Sequence, residues 1–368
     1  MIWRGEKIKD LIKGKNITYS KLAHDINVTR PTINAWIKGK IPKGAHILAI
    51  CKYFNLDPNE LFLVNHTDLI TIPQHRMRRT AKQTEETNKL SHELVSEYLS
   101  IFRNYDKSQL LQIFRDQNLS DDNAKELANS LRKLVSLDDN TPINYKQTFK
   151  LLQKLGVFAI FRKFPNEIKS YAFNCDISKK RVIFINNTTN ILDLIFPILH
   201  EVIHSIKDKA NNSQDYSIEE EKFCDKVASY IQFPDSYINL IYANIKNVRN
   251  VSQQVNILKQ FSSQKGHVGY GVIQRIKEIE PKFKLDISAA DINLRKEFET
   301  IGEIIFESTD PRIFVNILRL LSPLFVDLLL EQLDILGSRK IGELLDIGNS
   351  LDAKSVKDEL VMLSKERS

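Results

Sequence analysis

TYSKLAHDINVTRPTINAWIKGKIPKGAHILAICKYFNLDPNELF, residues 18–62, decides how the N-terminal region is read. Apolar residues return at helical spacing in Leu22, Ala23 and Ile26, then in Ile33, Trp36 and Ile37. They continue in Ile47, Leu48, Cys51 and Phe54, and end in Leu61 and Phe62; upstream, Ile8, Leu11 and Ile12 belong to the same series. Helix starts are marked by Thr18 and Thr29 as N-caps and by Asp57-Pro58, where proline needs no N–H. Asn27 stands where the turn between two helices wants a residue tolerant of left-handed φ. Residues 6–62 therefore read as five short helices joined by tight turns.

Charge separates this module from the rest. Residues 1–82 hold 15 Lys and Arg against 6 Asp and Glu, whereas the remainder holds 38 against 40. A basic module on a nearly neutral body is the footprint of a polyanion-binding domain. At 368 residues the chain has room for two or three domains. With 12 Gly and 11 Pro, collagen-like and low-complexity classes are excluded. Its 3 cysteines form no CxxC pair, and no window reaches eighteen apolar residues. The expectation is a cytoplasmic protein of a reducing compartment, without a membrane span.

Residues 18–62 resemble the Cro/C1-type (XRE-like) helix-turn-helix family, with Leu22-Ala23, Val28, Ile33, Trp36, Gly39-Lys40 and Pro42 in register. The resemblance implies a five-helix DNA-binding domain, with Ser20–Ile26 as the first helix of the motif and Thr29–Ile37 as the recognition helix. Thr29, Arg30, Thr32 and Asn34 would then face base edges. Lys38, Lys40 and Lys43 would take phosphates of a double-stranded operator. Tyr19 departs from the glutamine common at that position in the family. A palindromic operator would call for a homodimer, which the sequence leaves open.

Farther on, Ile72-Pro73 through Lys82 reads as a basic tether carrying Arg76, Arg78 and Arg79. Helical spacing follows in Leu90, Leu94, Tyr98, Ile101 and Phe102, then Leu110, Leu111 and Phe114, and then in a third stretch capped by Ser120. Residues 146–164 read as a helix ended by Gly156 and followed by a strand, with a second strand in KRVIFINN, 180–187.

The chemistry is concentrated in ILDLIFPILHEVIHSIKDK, residues 191–209, which contains His200-Glu201-Val202-Ile203-His204. On a helix, positions i and i+4 share a face, so both imidazoles can bind one metal, with Glu201 beside them as a general base. A catalytic zinc wants a third protein ligand. Glu221 opens the next amphipathic helix, 17 residues after His204, with Glu219 and Glu220 as competitors. Asp225, at i+4 from Glu221, could accept the second N–H of a ligand histidine. Histidines merely packed on a buried helix are the alternative.

Together with LLQKLGVFAIF, RVIFINN, the glutamate–aspartate helix ending at Phe233-Pro234 and HVGYGVIQRI, this motif resembles the ImmA/IrrE (DUF955, M78-type) metallopeptidases across about 145–280. The resemblance implies Zn2+ held by His200, His204 and Glu221, with Glu201 as the catalytic base and Asp225 behind the ligands. It departs from the family at Ile203, where glycine is usual, at Pro197 inside the active-site helix, and at Phe223, Cys224 and Val227. Tyr216 and His267 could by type stabilise an oxyanion.

The expected architecture is mainly α with a small α+β zincin-like domain. Residues 1–72 form the helix-turn-helix domain, 73–140 a basic linker and helical connector, 141–280 the metallopeptidase domain and 281–368 a helical C-terminal bundle. The functional expectation is a transcriptional regulator whose zinc endopeptidase cleaves a protein such as a repressor. The alternative is an antitoxin or autorepressor, partnered by a toxin, whose zinc domain is structural or sensory.

Overall fold

The computed structural model describes residues 2–3, 5–56, 61–63, 70–71, 85–105, 118–206 and 218–367. The chain divides into two compact units, Met1–Leu69 and Ile70–Ser368.

In the first unit, helices α1 (Gly5–Gly14), α2 (Tyr19–Asp25), α3 (Arg30–Ile37) and α4 (Gly44–Phe54) surround a core built on Ile8, Ile12, Leu22, Ile33, Trp36 and Ile50. Thr18 caps α2 by accepting from the Lys21 amide at 3.1 Å. Asn27 takes the left-handed conformation expected of it, at φ 56°. Gly5 is needed where α1 crosses α3, because a Cβ there would collide with the carbonyl oxygens of Trp36 and Ile37. Thr18 and Thr29 are N-caps as the sequence marks them, so α2 begins at Tyr19 and α3 at Arg30, each one residue off the start that the resemblance implies. The fifth helix is also different. Its expected start at Asp57-Pro58 lies outside the described residues, and at its expected end Phe62–Leu63 (β2) pair antiparallel with Ile2–Trp3 (β1).

The second unit is a sheet between helical layers. Its strands β3 (Ile70–Thr71), β4 (Phe158–Arg162), β5 (Ala172–Ile177) and β6 (Lys180–Asn186) run in the order β3-β5-β6-β4. The β4–β6 pair is parallel and the others antiparallel. Helices α5 (Glu85–Ser96), α6 (Leu99–Arg103), α7 (Asp121–Leu134) and α8 (Tyr145–Lys154) precede or flank β4. After the sheet come α9 (Ile191–Ile206), α10 (Ile218–Gln232), α11 (Asp235–Ile245), α12 (Val251–Lys265) and α13 (Gly269–Ile279). The chain closes with α14 (Ser288–Arg295), α15 (Ile301–Ile305), α16 (Pro311–Leu321), α17 (Pro323–Glu331), α18 (Ser338–Leu345) and α19 (Ser350–Arg367).

Period-two alternation gives each sheet face its own covering. On one face Phe173 stacks on Phe184, Tyr98 meets Phe184 edge-on and Phe102 meets Phe158, so α6 and α17 cover it. On the other face Phe149 packs on Phe161, and α8 and α9 lie against the strands. Burying each such aromatic stabilises the fold by about 1.5–3 kcal/mol. The connector and C-terminal helices thus belong to the same compact unit as the sheet. Tyr98 donates to the Leu344 carbonyl at 2.8 Å, and Gln332 donates to the Ile101 carbonyl at 2.7 Å.

Local signals behave as their chemistry dictates. Ser120 accepts from the Asn123 amide at 3.3 Å and starts α7. Asn144 and Gln147 form a reciprocal capping box on α8, and Gly156 ends that region at φ 71°. Strand β5 is an addition to the two strands that the sequence predicts. Its hairpin to β6 turns through Ser178 and Lys179, both at positive φ. Pro197 lies seven positions into α9, and its missing N–H leaves the Asp193 carbonyl without its helical partner. The tether residues Arg76, Arg78 and Arg79, with Leu110, Leu111 and Phe114, lie outside the described residues. Among those described, no single helix is long and apolar enough to cross a membrane; the one pair that would be together, α16 and α17, is bent by 117°.

Candidate functional site

On the recognition helix, the Thr29 hydroxyl accepts from the Thr32 amide at 3.4 Å and shares a hydrogen bond with the Thr32 hydroxyl at 2.8 Å. These two side chains therefore fix the start of α3. Arg30, Lys38, Lys40 and Lys43 are exposed, Thr32 and Asn34 are half-buried, and Ile33 and Trp36 face the core. Tyr19 spends its ring packing against that core.

In the second unit, helical spacing puts His200 and His204 on one face of α9, and α10 packs across it. Arg132, buried in α7, anchors the end of α10: it donates to the Ile231 carbonyl near that end and to the Thr141 carbonyl, each at 2.7 Å. The two Nε2 atoms lie 2.9 Å apart. Glu221 approaches them with one oxygen 3.3 Å from His200 Nε2 and the other 3.0 Å from His204 Nε2. Both imidazoles are buried, and the Glu221 side chain is half-exposed. Among the described residues, these three are the group whose ligand atoms meet within 4.8 Å of one another. Glu219 is exposed on the first turn and outside this group; Tyr216 lies outside the described residues.

The outer contacts set which nitrogen is bare. His200 donates from Nδ1 to Asp225 Oδ1 at 2.9 Å, which leaves a lone pair at Nε2. His204 Nδ1 lies 3.5 Å from Cys224 Sγ, and an N–H directed at that sulfur aims the second lone pair at the same point. Two nitrogen lone pairs and a carboxylate repel one another unless a cation lies between them. Tetrahedral zinc with bonds of about 2.0–2.1 Å has ligand–ligand edges of about 3.3 Å, so this donor set could hold such an ion. Partial burial pushes the Glu221 carboxyl up, but its contacts with His200 and His204 outweigh it and hold the group well below the usual carboxylate range.

Glu201 is buried beside these ligands. Both donors of Asn174 on β5, the side-chain amide and the backbone N–H at 3.3 Å, bond to its Oε2. Its Oε1 carries no hydrogen bond among the described residues. A cleft of about 530 Å³ opens next to Glu201 and Asp225 between α9, α10 and α13. His267 takes no part. Its Nε2 accepts from the Tyr237 hydroxyl at 2.7 Å, Nδ1 donates to the Val268 carbonyl at 3.1 Å, and the ring is fully buried.

Sequence reasoning missed Asn174 and the contact of Cys224 with His204. The one available signal was a polar residue at position 174 in an otherwise buried strand. Nothing in the sequence pairs Cys224 with His204.

Comparison with known proteins supports the first unit. Residues 7–65 match the model of the Cro/C1-type HTH DNA-binding domain. Over 79 residues, 21% of this chain, the sequence is 33% identical to the HTH-type transcriptional activator BcrR of Enterococcus faecalis. The match spans 38% of that relative's length. No solved structure matches. The N-terminal unit carries a Cro/C1-type helix-turn-helix DNA-binding domain.

Proposed function

We propose that the chain is a DNA-binding transcriptional regulator whose second unit binds one zinc ion and hydrolyses a peptide bond in another protein, such as a repressor. The observation that carries the enzymatic part is the convergence of His200, His204 and Glu221, each histidine backed by a neighbour on its far nitrogen. Zinc, when bound there, supplies Lewis acidity toward the scissile carbonyl. Glu201 supplies the base: Oε2 is fixed by Asn174, while Oε1 takes a proton from the attacking water and returns it to the leaving amine. Asp225 and Cys224 keep the ligand imidazoles in register. In the first unit, Arg30, Thr32 and Asn34 read bases, and Lys38, Lys40 and Lys43 hold phosphates.

The test is a comparison of newly formed protein termini in cells expressing the wild type or Glu201→Gln. A cleavage that appears with the wild type and vanishes in the variant, which still folds and keeps its zinc, supports the reading. Identical termini in both cells, with the wild type zinc-loaded, sink it. A second reading, an antitoxin or autorepressor with a structural zinc unit, is favoured by the hold of Asn174 on Glu201, which ties that carboxylate to the sheet. It predicts operator binding that is lost on Arg30→Ala and untouched by Glu201→Gln, with no cleavage at any stage.

A further inference from the structure

The cleft beside Glu201 has two kinds of wall. Leu192, Phe196, Pro197, Phe233 and Val268 make it apolar, and Tyr270 stands at its margin. Ionic groups also line it, and apart from Glu201 each already has a partner. Arg295 grips Asp193 with two hydrogen bonds of 2.7 Å. Lys226 pairs with Asp121 at 2.8 Å, Glu278 with Arg275, and Asp225 with His200. An acidic side chain entering this cleft would lose its hydration beside the Glu201 carboxylate and meet two cations, Lys226 and Arg295, that are already paired, which is costly. An apolar side chain would release water from both surfaces.

Resting on the zinc-peptidase reading, we infer that the hydrolysed peptide places a bulky apolar side chain, leucine or phenylalanine, in this cleft. The neighbourhood of the cleft to Glu201 puts that side chain next to the scissile bond. A cavity of about 530 Å³ accommodates such a group with room to spare for backbone. Substrate choice then follows from the residue beside the cut.

The test uses the zinc-loaded full chain titrated by calorimetry with the hydroxamic acids of leucine, alanine and aspartic acid. Leucine hydroxamate is expected to bind at least about tenfold more tightly than the alanine compound, and the aspartate compound most weakly. Ser229→Trp, which fills the cleft, should bring the leucine-to-alanine ratio toward one without changing zinc content. Should that variant fail to fold, the wild-type ratio decides alone. Equal affinities for leucine and alanine compounds on zinc-loaded protein overturn this inference and leave the zinc site standing. A wild type that takes up no zinc overturns both.

Discussion

Replacing His267 with glutamine should remove an acid sensitivity that the fold builds in. The imidazole is sealed between Phe233 and Tyr237, with ring centroids at 5.0 and 5.6 Å, and its neutral form satisfies both nitrogens. Burial pushes its pKa down from 6.5 to about 4, the Val268 carbonyl pulling it back in part and Lys265 adding to the depression. Between those values the unfolded chain binds a proton that the folded chain refuses, so stability falls as pH falls through that window. A tenfold change in proton affinity is worth about 1.4 kcal/mol, so the full penalty approaches about 3 kcal/mol and the part between pH 7 and pH 5 is about 2 kcal/mol. Urea unfolding of the wild type and His267→Gln at both pH values measures it. The variant should be the less stable at pH 7, and the gap should narrow by about 2 kcal/mol at pH 5. A gap that stays constant with pH would refute the assignment of a buried neutral histidine.

Other substitutions probe the remaining elements. Asp225→Asn weakens the acceptor behind His200, so zinc affinity measured by chelator competition should drop about 10–100-fold while the circular dichroism spectrum stays unchanged. Gly5→Ala forces α1 away from the Trp36 and Ile37 carbonyls and should cost the first unit about 1–3 kcal/mol in thermal unfolding. Arg30→Ala removes an exposed side chain, so folding should persist while operator affinity drops by about 1–3 kcal/mol; Lys40→Ala should instead flatten the salt dependence of binding.

The helix-turn-helix unit is legible in the sequence because its signals are local. Apolar spacing, the caps at Thr18 and Thr29 and the left-handed Asn27 each depend on neighbours a few residues away. Its last segment misleads because Leu61-Phe62 suits a helix end and a strand equally, and the deciding partner, Ile2–Trp3, lies some sixty residues earlier. Strand β5 escapes because Ser178-Lys179 lacks the Asn-Gly chemistry that usually announces a tight hairpin. In the candidate centre, the pairs His200–His204 and Glu221–Asp225 can be proposed from helical periodicity alone, since each is an i, i+4 relation. Asn174 and Cys224 cannot, because their partners are set by how β5 and α10 pack on α9.

Metal content of the full chain tests the proposed zinc centre most directly. Protein purified without a histidine tag, supplied with zinc and dialysed, should carry one zinc per chain by mass spectrometry of the metal. His204→Ala should carry almost none while retaining its helical spectrum. A folded wild type without zinc, or a His204→Ala variant that holds as much as the wild type, would contradict the central claim and leave the histidine pair as part of the core.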